Sequence, residues 1–334
     1  MSGKALITGA AGFIGFHLAR RMLAAGWEVT GFDGMTAYYD PKLKAARLDI
    51  LQDTPHFHFE HGMVEAEGRL TTLCATVKPD VIIHLAAQAG VRYSIDAPRS
   101  YVQSNLIGTH EVLEAARAHP PQHLMMASTS SAYGANTEMP YAERHKAVHP
   151  MSFYAATKIA NEAMGHSYAH LFGLPVTMFR FFTVYGPWGR PDMALFKFTK
   201  AILNGDPIDV YNQGDMKRDF TFVDDLVEGI LRLTTCPPGT TPAGPMDSLS
   251  PVAPFRVVNI GNGTPVPLNE FITAIEDATG RTAIRNLLPM QPGDVPATWA
   301  DASLIEALVG KLPKTDIREG VARFVDWYRG WNGA

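Results

Sequence analysis

The sequence predicts an α/β fold, a doubly wound parallel sheet with a smaller C-terminal lobe. Three observations carry this reading. Short apolar runs alternate with helical patterns through the first half of the 334 residues. A glycine-rich turn joins the first apolar run to the first helical pattern. After about Tyr185 the alternation gives way to loops and isolated segments. Strands alternating with helices imply parallel crossover units, and a change of pattern implies a second structural unit.

Each element rests on its own pattern. Residues 5–8 read as a strand, 15–25 as a helix ended by Gly26, and 28–32 as a strand closing on Asp33. A weaker strand follows at 57–60, a helix at 70–77, and a strand at 81–85 after Pro79-Asp80. Residues 104–118 read as a long helix and 123–127 as a fifth strand. Residues 154–172 read as a helix closed by Gly173, and 176–181 as a sixth strand. Past the Gly/Pro-rich loop 186–191, residues 194–203 read as a helix, 208–211 as a strand and 223–234 as a helix. The Pro, Gly, Ser and Thr of 236–254 read as a solvated loop. Residues 255–260 read as a strand returning to the main sheet, and 268–279 and 317–328 as helices.

Composition narrows the function. Apolar residues make up 46% and charged residues 19%, as in ordinary globular chains. The net charge of −4, without a basic run, argues against nucleic-acid and membrane-surface partners. The two cysteines, Cys74 and Cys236, form no C-x-x-C pair, and the 12 histidines show no metal-ligand spacing. The opening apolar run is too short for a signal peptide or membrane span. A soluble cytoplasmic protein without a metal is expected.

Gly9-Ala10-Ala11-Gly12-Phe13-Ile14-Gly15 follows a strand and opens a helix. Gly9 permits the tight turn, Gly12 lets backbone approach a pyrophosphate, and Gly15 lets helix and strand pack closely. The helix N-terminus, with Phe13 and Ile14, supplies N–H groups to an anion. A glycine triplet alone marks only a turn. Here an acid, Asp33, ends the next strand 18 positions after Gly15. A carboxylate there accepts a hydrogen bond from a ribose 2′-hydroxyl and repels a 2′-phosphate, which favours NAD over NADP. Leu85-Ala86-Ala87 ends the fourth strand with small residues that let backbone lie against the dinucleotide. The domains expected are a Rossmann NAD-binding domain over 1–185 and a lobe mainly over 186–334. Segments near 208–234 and 255–262 return from the lobe to the first domain.

Tyr154 and Lys158 stand four apart, on one helix face. An ammonium beside a phenol favours phenolate, lowering its usual pKa of about 10 toward that of a working base. Ser128-Thr129-Ser130-Ser131 follows the fifth strand, at the carboxyl end where open α/β sheets bind ligands. One of these hydroxyls can hydrogen-bond a reacting oxygen.

In this order the glycine motif, 128–134, Tyr154/Lys158 and Arg218-Asp219-Phe220 resemble the extended short-chain dehydrogenase/reductase family of nucleotide-sugar epimerases and dehydratases. The resemblance covers essentially the whole chain. Residues 84–93 and 182–193 most resemble the branch that epimerises UDP-glucuronate at C4. It implies an isomerase with bound NAD and a UDP-sugar substrate, assembled as a homodimer through the Tyr154 helix and the helix before it. Thr129, Tyr154 and Lys158 match catalytic positions, and Ser128, Tyr154 and Lys158 also match cofactor contacts. Thr183 and Arg190 match positions that hold the sugar carboxylate; Arg218 and Asp294 match positions that contact the nucleotide. Ser130, Ser131, Lys197, Tyr211 and Arg92 fall in segments that line the UDP-sugar site. The family's acid after the third strand is missing from Glu60-His61-Gly62-Met63-Val64, where it would contact adenine. The implied chemistry removes the 4-hydroxyl proton through Tyr154, passes the C4 hydrogen to NAD, and returns it to the other face of a 4-keto sugar. Related dehydratases and decarboxylases carry acids where Ser130 and Ser131 stand, which argues against both. A UDP-glucose 4-epimerase and a non-catalytic NAD sensor are the other readings.

Overall fold

The computed structural model describes residues 3–291 and 295–333. In chain order the first half contains β1 (Lys4–Thr8), α1 (Phe13–Ala24), β2 (Glu28–Asp33), α2 (Pro41–Gln52), β3 (Phe57–His61), α3 (Arg69–Val77) and β4 (Val81–His84). There follow α4 (Tyr93–Asp96), α5 (Pro98–Tyr101), a π-helical stretch (Val102–Ile107), α6 (Gly108–Ala118), β5 (His123–Thr129), α7 (Phe153–Phe172) and β6 (Val176–Phe181). The second half contains β7 (Thr183–Tyr185), α8 (Ala194–Asn204), β8 (Pro207–Tyr211), β9 (Lys217–Phe222), α9 (Val223–Leu233) and β10 (Phe255–Ile260). It closes with β11 (Pro265–Pro267), α10 (Leu268–Thr279), β12 (Ile284–Leu288), β13 (Ala297–Thr298), α11 (Ser303–Val309) and α12 (Ile317–Asn332).

Seven parallel strands run in the order β10-β6-β5-β4-β1-β2-β3. Alternation along β1 assigns its two faces. Ala5 and Ile7 pack with α1 and α9, while Leu6 packs with α3, α6 and α7. Both faces are therefore covered, which is why the central strands are apolar throughout. The chain leaves β1 toward β2 and β3, then resumes on the other side at β4. That reversal opens a crevice at the carboxyl ends of β1 and β4. Thr8 pairs with His84 across it, and the Thr8 hydroxyl lies 2.8 Å from His84 Nδ1.

The rest of the second half forms a lobe with its own aromatic core, in which Phe220 stacks on Phe271 with ring centroids 4.1 Å apart. Two expectations need correction. Pro207–Tyr211 does not return to the first domain, because it pairs with Ile284–Leu288 in a separate two-stranded sheet. Three later elements do return: α9, whose Leu226 and Ile230 share the core of α1, β10 beside β6, and α11, whose Leu304 and Ile305 join the same core. The stretch 236–254 is tied down rather than freely solvated. Asp247 accepts from Arg256 Nε at 2.8 Å and Nη2 at 2.9 Å, and Ser250 meets His166 at 2.8 Å. No helix among the described residues is long and apolar enough to cross a membrane.

Candidate active site

One cavity of about 270 Å³ occupies the crevice. Its walls include Gly9, Gly12, Phe13, Ile14 and Gly15 from the first turn, Asp33 from β2, and Leu85, Ala86 and Ala87 after β4. Ser128, Thr129, Tyr154, Lys158 and Arg190 complete it from the other side. The sequence-predicted cofactor and catalytic residues therefore share one space.

The glycines are required by geometry. Gly9 adopts φ +76°, and a Cβ at Gly15 would stand 2.1 Å from the Gly9 carbonyl oxygen. The N-terminus of α1 has no side-chain cap, so its first N–H groups are left for a ligand. Asp33 is held in place by N–H donors from Ala11 at 3.1 Å and Met35 at 2.8 Å. An uncapped helix end beside a fixed carboxylate, with no room for side chains in the turn, fits the pyrophosphate and ribose of NAD.

Behind the sugar end lies a buried polar network. Lys158 donates from Nζ to the Ala127 carbonyl at 2.9 Å. Burial pushes its pKa down to about 8, against the pull of Glu162. Glu162 accepts from Ser128 at 2.5 Å and from Arg180 at 2.9 and 2.7 Å. Arg180 in turn lies over the Tyr133 ring, 4.5 Å from its centroid. Burial and the Lys158 charge push His84 down to about 3, so it remains neutral, with Thr8 on one ring nitrogen and Thr109 on the other.

The expectation that Lys158 acidifies Tyr154 fails in the protein by itself. Burial raises the Tyr154 pKa, opposed by a hydrogen bond with Thr129 and by the Arg190 charge. Lys158 instead donates one hydrogen bond to the Ala127 carbonyl and faces Glu162. A ligand cation would have to supply further stabilisation of phenolate.

Arg190 carries its own counter-ion. Its Nε donates to Asp192 at 3.0 Å and its Nη2 at 2.5 Å, and Tyr38 donates to the same carboxylate at 3.2 Å. Burial works against the Arg190 charge, but Asp192 holds its pKa above the usual arginine value. Thr183 shares a smaller adjoining pocket of about 30 Å³ with Arg190. The main cavity does not reach Arg92, Ser130, Ser131, Lys197, Tyr211 or Arg218. Arg92 covers the Tyr211 ring at 5.0 Å, Lys197 is exposed, and Arg218 donates to the Lys217 carbonyl at 2.9 Å. Asp294 lies outside the described residues.

The sequence reading missed Tyr38, Lys44, Arg47 and Asp192. Lys44 lines the cavity beside Asp33, and its Nζ donates to Thr36 at 3.1 Å. Burial lowers its pKa, against the attraction of Asp33. The helix carrying Lys44 and Arg47 was legible from Asp40-Pro41. Asp40 caps the Lys42 N–H at 3.0 Å, and proline suits the first helical position.

Comparison with known proteins matches residues 5–242 to the NAD dependent epimerase/dehydratase family. A relative from Rhizobium meliloti, named a probable UDP-glucuronate 4-epimerase, is 57% identical over 97% of this chain and 96% of its own length. UDP-glucuronate 4-epimerase 6 of Arabidopsis thaliana is 45% identical over 98% of this chain and 72% of its own. The crystal structure of a UDP-glucuronic acid 4-epimerase from Bacillus cereus, with UDP-glucuronic acid and NAD, superposes with a TM-score of 0.88. It is 31% identical, and the match covers 98% of this chain and 99% of that one.

Proposed function

The chain belongs to the NAD dependent epimerase/dehydratase family, and we propose that within it this protein interconverts UDP-glucuronate and UDP-galacturonate. The observation that carries the reading is a single cavity lined by the glycine turn, Asp33, Thr129, Tyr154 and Arg190. The similarity to UDP-glucuronate 4-epimerases at both sequence and structure level supports it.

Bound NAD supplies a reversible acceptor for the hydrogen on the sugar C4. The protein's own groups do the rest. Tyr154 takes and returns the proton of the 4-hydroxyl, and Thr129 hydrogen-bonds the same oxygen. Lys158, anchored on Ala127, presents a cation to the nicotinamide ribose. A 4-keto glucuronate is a β-keto acid and readily loses CO₂. Arg190, with Thr183 in the adjoining pocket, grips the carboxylate through the donors that Asp192 leaves free. That grip fixes the carboxylate in a geometry that disfavours C–C cleavage. Asp33, with Lys44 beside it, holds the adenosine ribose.

One observation favours a neutral sugar instead, since Asp192 already balances the Arg190 charge. UDP-glucose is therefore the second substrate to test. The deciding experiment incubates the protein with UDP-glucuronate and no added cofactor, then separates the products and the dinucleotide released on denaturation. UDP-galacturonate together with NAD supports the reading. NAD without turnover of any UDP-sugar refutes it.

We also infer a homodimer through α6 and α7. Ile107, immediately before α6, and Leu171 and Phe172 on α7 are exposed apolar side chains. Mass by light scattering tests it. The free thiols Cys74 and Cys236 suit the reducing cytoplasm.

A further inference from the structure

Arg47, on α2, is fully buried and lines no part of the cavity. Its hydrogen-bond partners are all neutral. Nη1 donates to the Ala11 carbonyl at 3.0 Å and to the Tyr39 hydroxyl at 2.7 Å, and Nη2 donates to the Trp188 carbonyl at 2.5 Å. Its Nε has no partner. Burying a guanidinium without a hydrogen-bonded carboxylate is costly, and here the nearby Asp33 charge and the Tyr39 ring, 5.6 Å away, offset that cost.

The two backbone carbonyls belong to different parts of the site. Ala11 is the centre of the glycine turn under the dinucleotide. Trp188 is two residues before Arg190, in the loop that follows β7. That loop adopts a shape it would not take unaided. Trp188 is a non-glycine residue at φ +60°, and Gly186 sits at φ +144°. Such a backbone persists only where its surroundings hold it. The Trp188 indole packs on Phe16 of α1 at 5.5 Å and on Trp327 and Trp331 of α12 at 5.3 and 5.4 Å. His17 Nε2 meets the Pro187 carbonyl at 2.9 Å. Arg47 adds to these α1 contacts a hydrogen-bonded bridge from the Trp188 carbonyl to the Ala11 carbonyl of the cofactor turn itself.

We propose that Arg47 is a positioning residue: its forked guanidinium spans the glycine turn and the Trp188 carbonyl, and so sets where Arg190 stands relative to the dinucleotide. Arg47 touches neither cofactor nor sugar. It acts through the two backbones it bridges, and its role is to make the site selective for a sugar acid. A single ammonium cannot span both carbonyls as a planar fork does. The inference rests on the reading of Arg190 as the carboxylate grip.

The test compares wild type with Arg47→Met, Arg47→Lys and Arg190→Ala, each checked for folding by circular dichroism and thermal melting. Calorimetry then measures the affinity of each folded protein, with its bound NAD, for UDP, UDP-glucose and UDP-glucuronate. Wild type is expected to bind UDP-glucuronate at least tenfold tighter than UDP-glucose, and Arg190→Ala to lose that preference. Arg47→Met is expected to lose most of it too, with UDP affinity within about twofold of wild type. Arg47→Lys, which keeps the buried charge, is expected to lose it as well, and decides the matter if the methionine variant does not fold. A general loss of structure would weaken all three ligands together and would overturn the proposal. Full preference retained in a folded Arg47 variant, while Arg190→Ala loses it, also overturns the proposal and leaves the Arg190 reading intact. Absence of preference in wild type overturns both.

Discussion

Arg190 and Asp192 clasp each other across two residues, with the guanidinium Nε and Nη2 both donating to the one carboxylate. The clasp occupies one edge of the fork, on a residue that lines the cavity. Arg190→Ala is expected to weaken UDP-glucuronate by roughly tenfold or more, since a charged hydrogen bond is worth about 1.5–3 kcal/mol. UDP-glucose should be unaffected. The loosened keto acid should also leak to a pentose product, detectable by chromatography with released CO₂. Wild-type behaviour in this variant would mean that the carboxylate sits elsewhere.

Tyr154 and Thr129 line the same cavity, where Thr129 favours the phenolate of Tyr154 and burial opposes its ionisation. Tyr154→Phe removes only the titratable oxygen. Turnover should fall by about a hundredfold to ten-thousandfold, the usual worth of a positioned acid–base group. NAD retained per protein, measured after denaturation, should stay close to wild type. Loss of NAD in step with activity would point to a cofactor-holding role instead.

Glu143 is buried, and its Oε1 accepts the Asn259 N–H at 2.8 Å. Burial raises its pKa to about 7 from an ordinary 4.5. The folded state therefore holds its proton more tightly than the unfolded chain. That contribution is complete below pH 4.5 and is lost as the pH rises through about 7. Glu143→Gln keeps the acceptor and removes the charge. Its melting temperature relative to wild type should climb between pH 5 and pH 8. An offset that stays constant across that range would rule out titration of Glu143 as the cause.

The Glu162–Arg180 pair is bidentate and nearly sealed from water, with side-chain exposures of 11% and 5%. Glu162→Gln leaves a buried guanidinium without its counter-charge. Breaking one partner of such a pair costs about 3–5 kcal/mol. Urea denaturation should register a loss of that order. A loss under about 1 kcal/mol would show that the network is dispensable to the fold.

Much of this site could be read from sequence because its chemistry is local. Gly9, Gly12 and Gly15 advertise their turn through spacing, and Asp33 ends a strand with a clear apolar pattern. Tyr154 and Lys158 are one helical turn apart. What the residues alone could not convey was long-range pairing. Nothing near Arg190 announced that Tyr38, 154 residues before Asp192, joins the Arg190–Asp192 pair. The helix of Arg47 has a short and weakly apolar face, so its periodicity was faint, although Asp40-Pro41 marked its start. Pro207–Tyr211 looked like any strand, and its partner Ile284–Leu288 is mostly exposed, which hides the alternation that would have identified it. The pKa of Tyr154 also depends on burial, which spacing does not encode.

If Tyr154 and bound NAD act together on C4 of the sugar, the hydrogen taken from C4 must return to it. Epimerisation of UDP-glucuronate in deuterium oxide, followed by proton NMR of the UDP-galacturonate formed, tests it most directly. C4 is expected to keep its original hydrogen, because that atom leaves and returns without meeting solvent. Deuterium at C4 would contradict it.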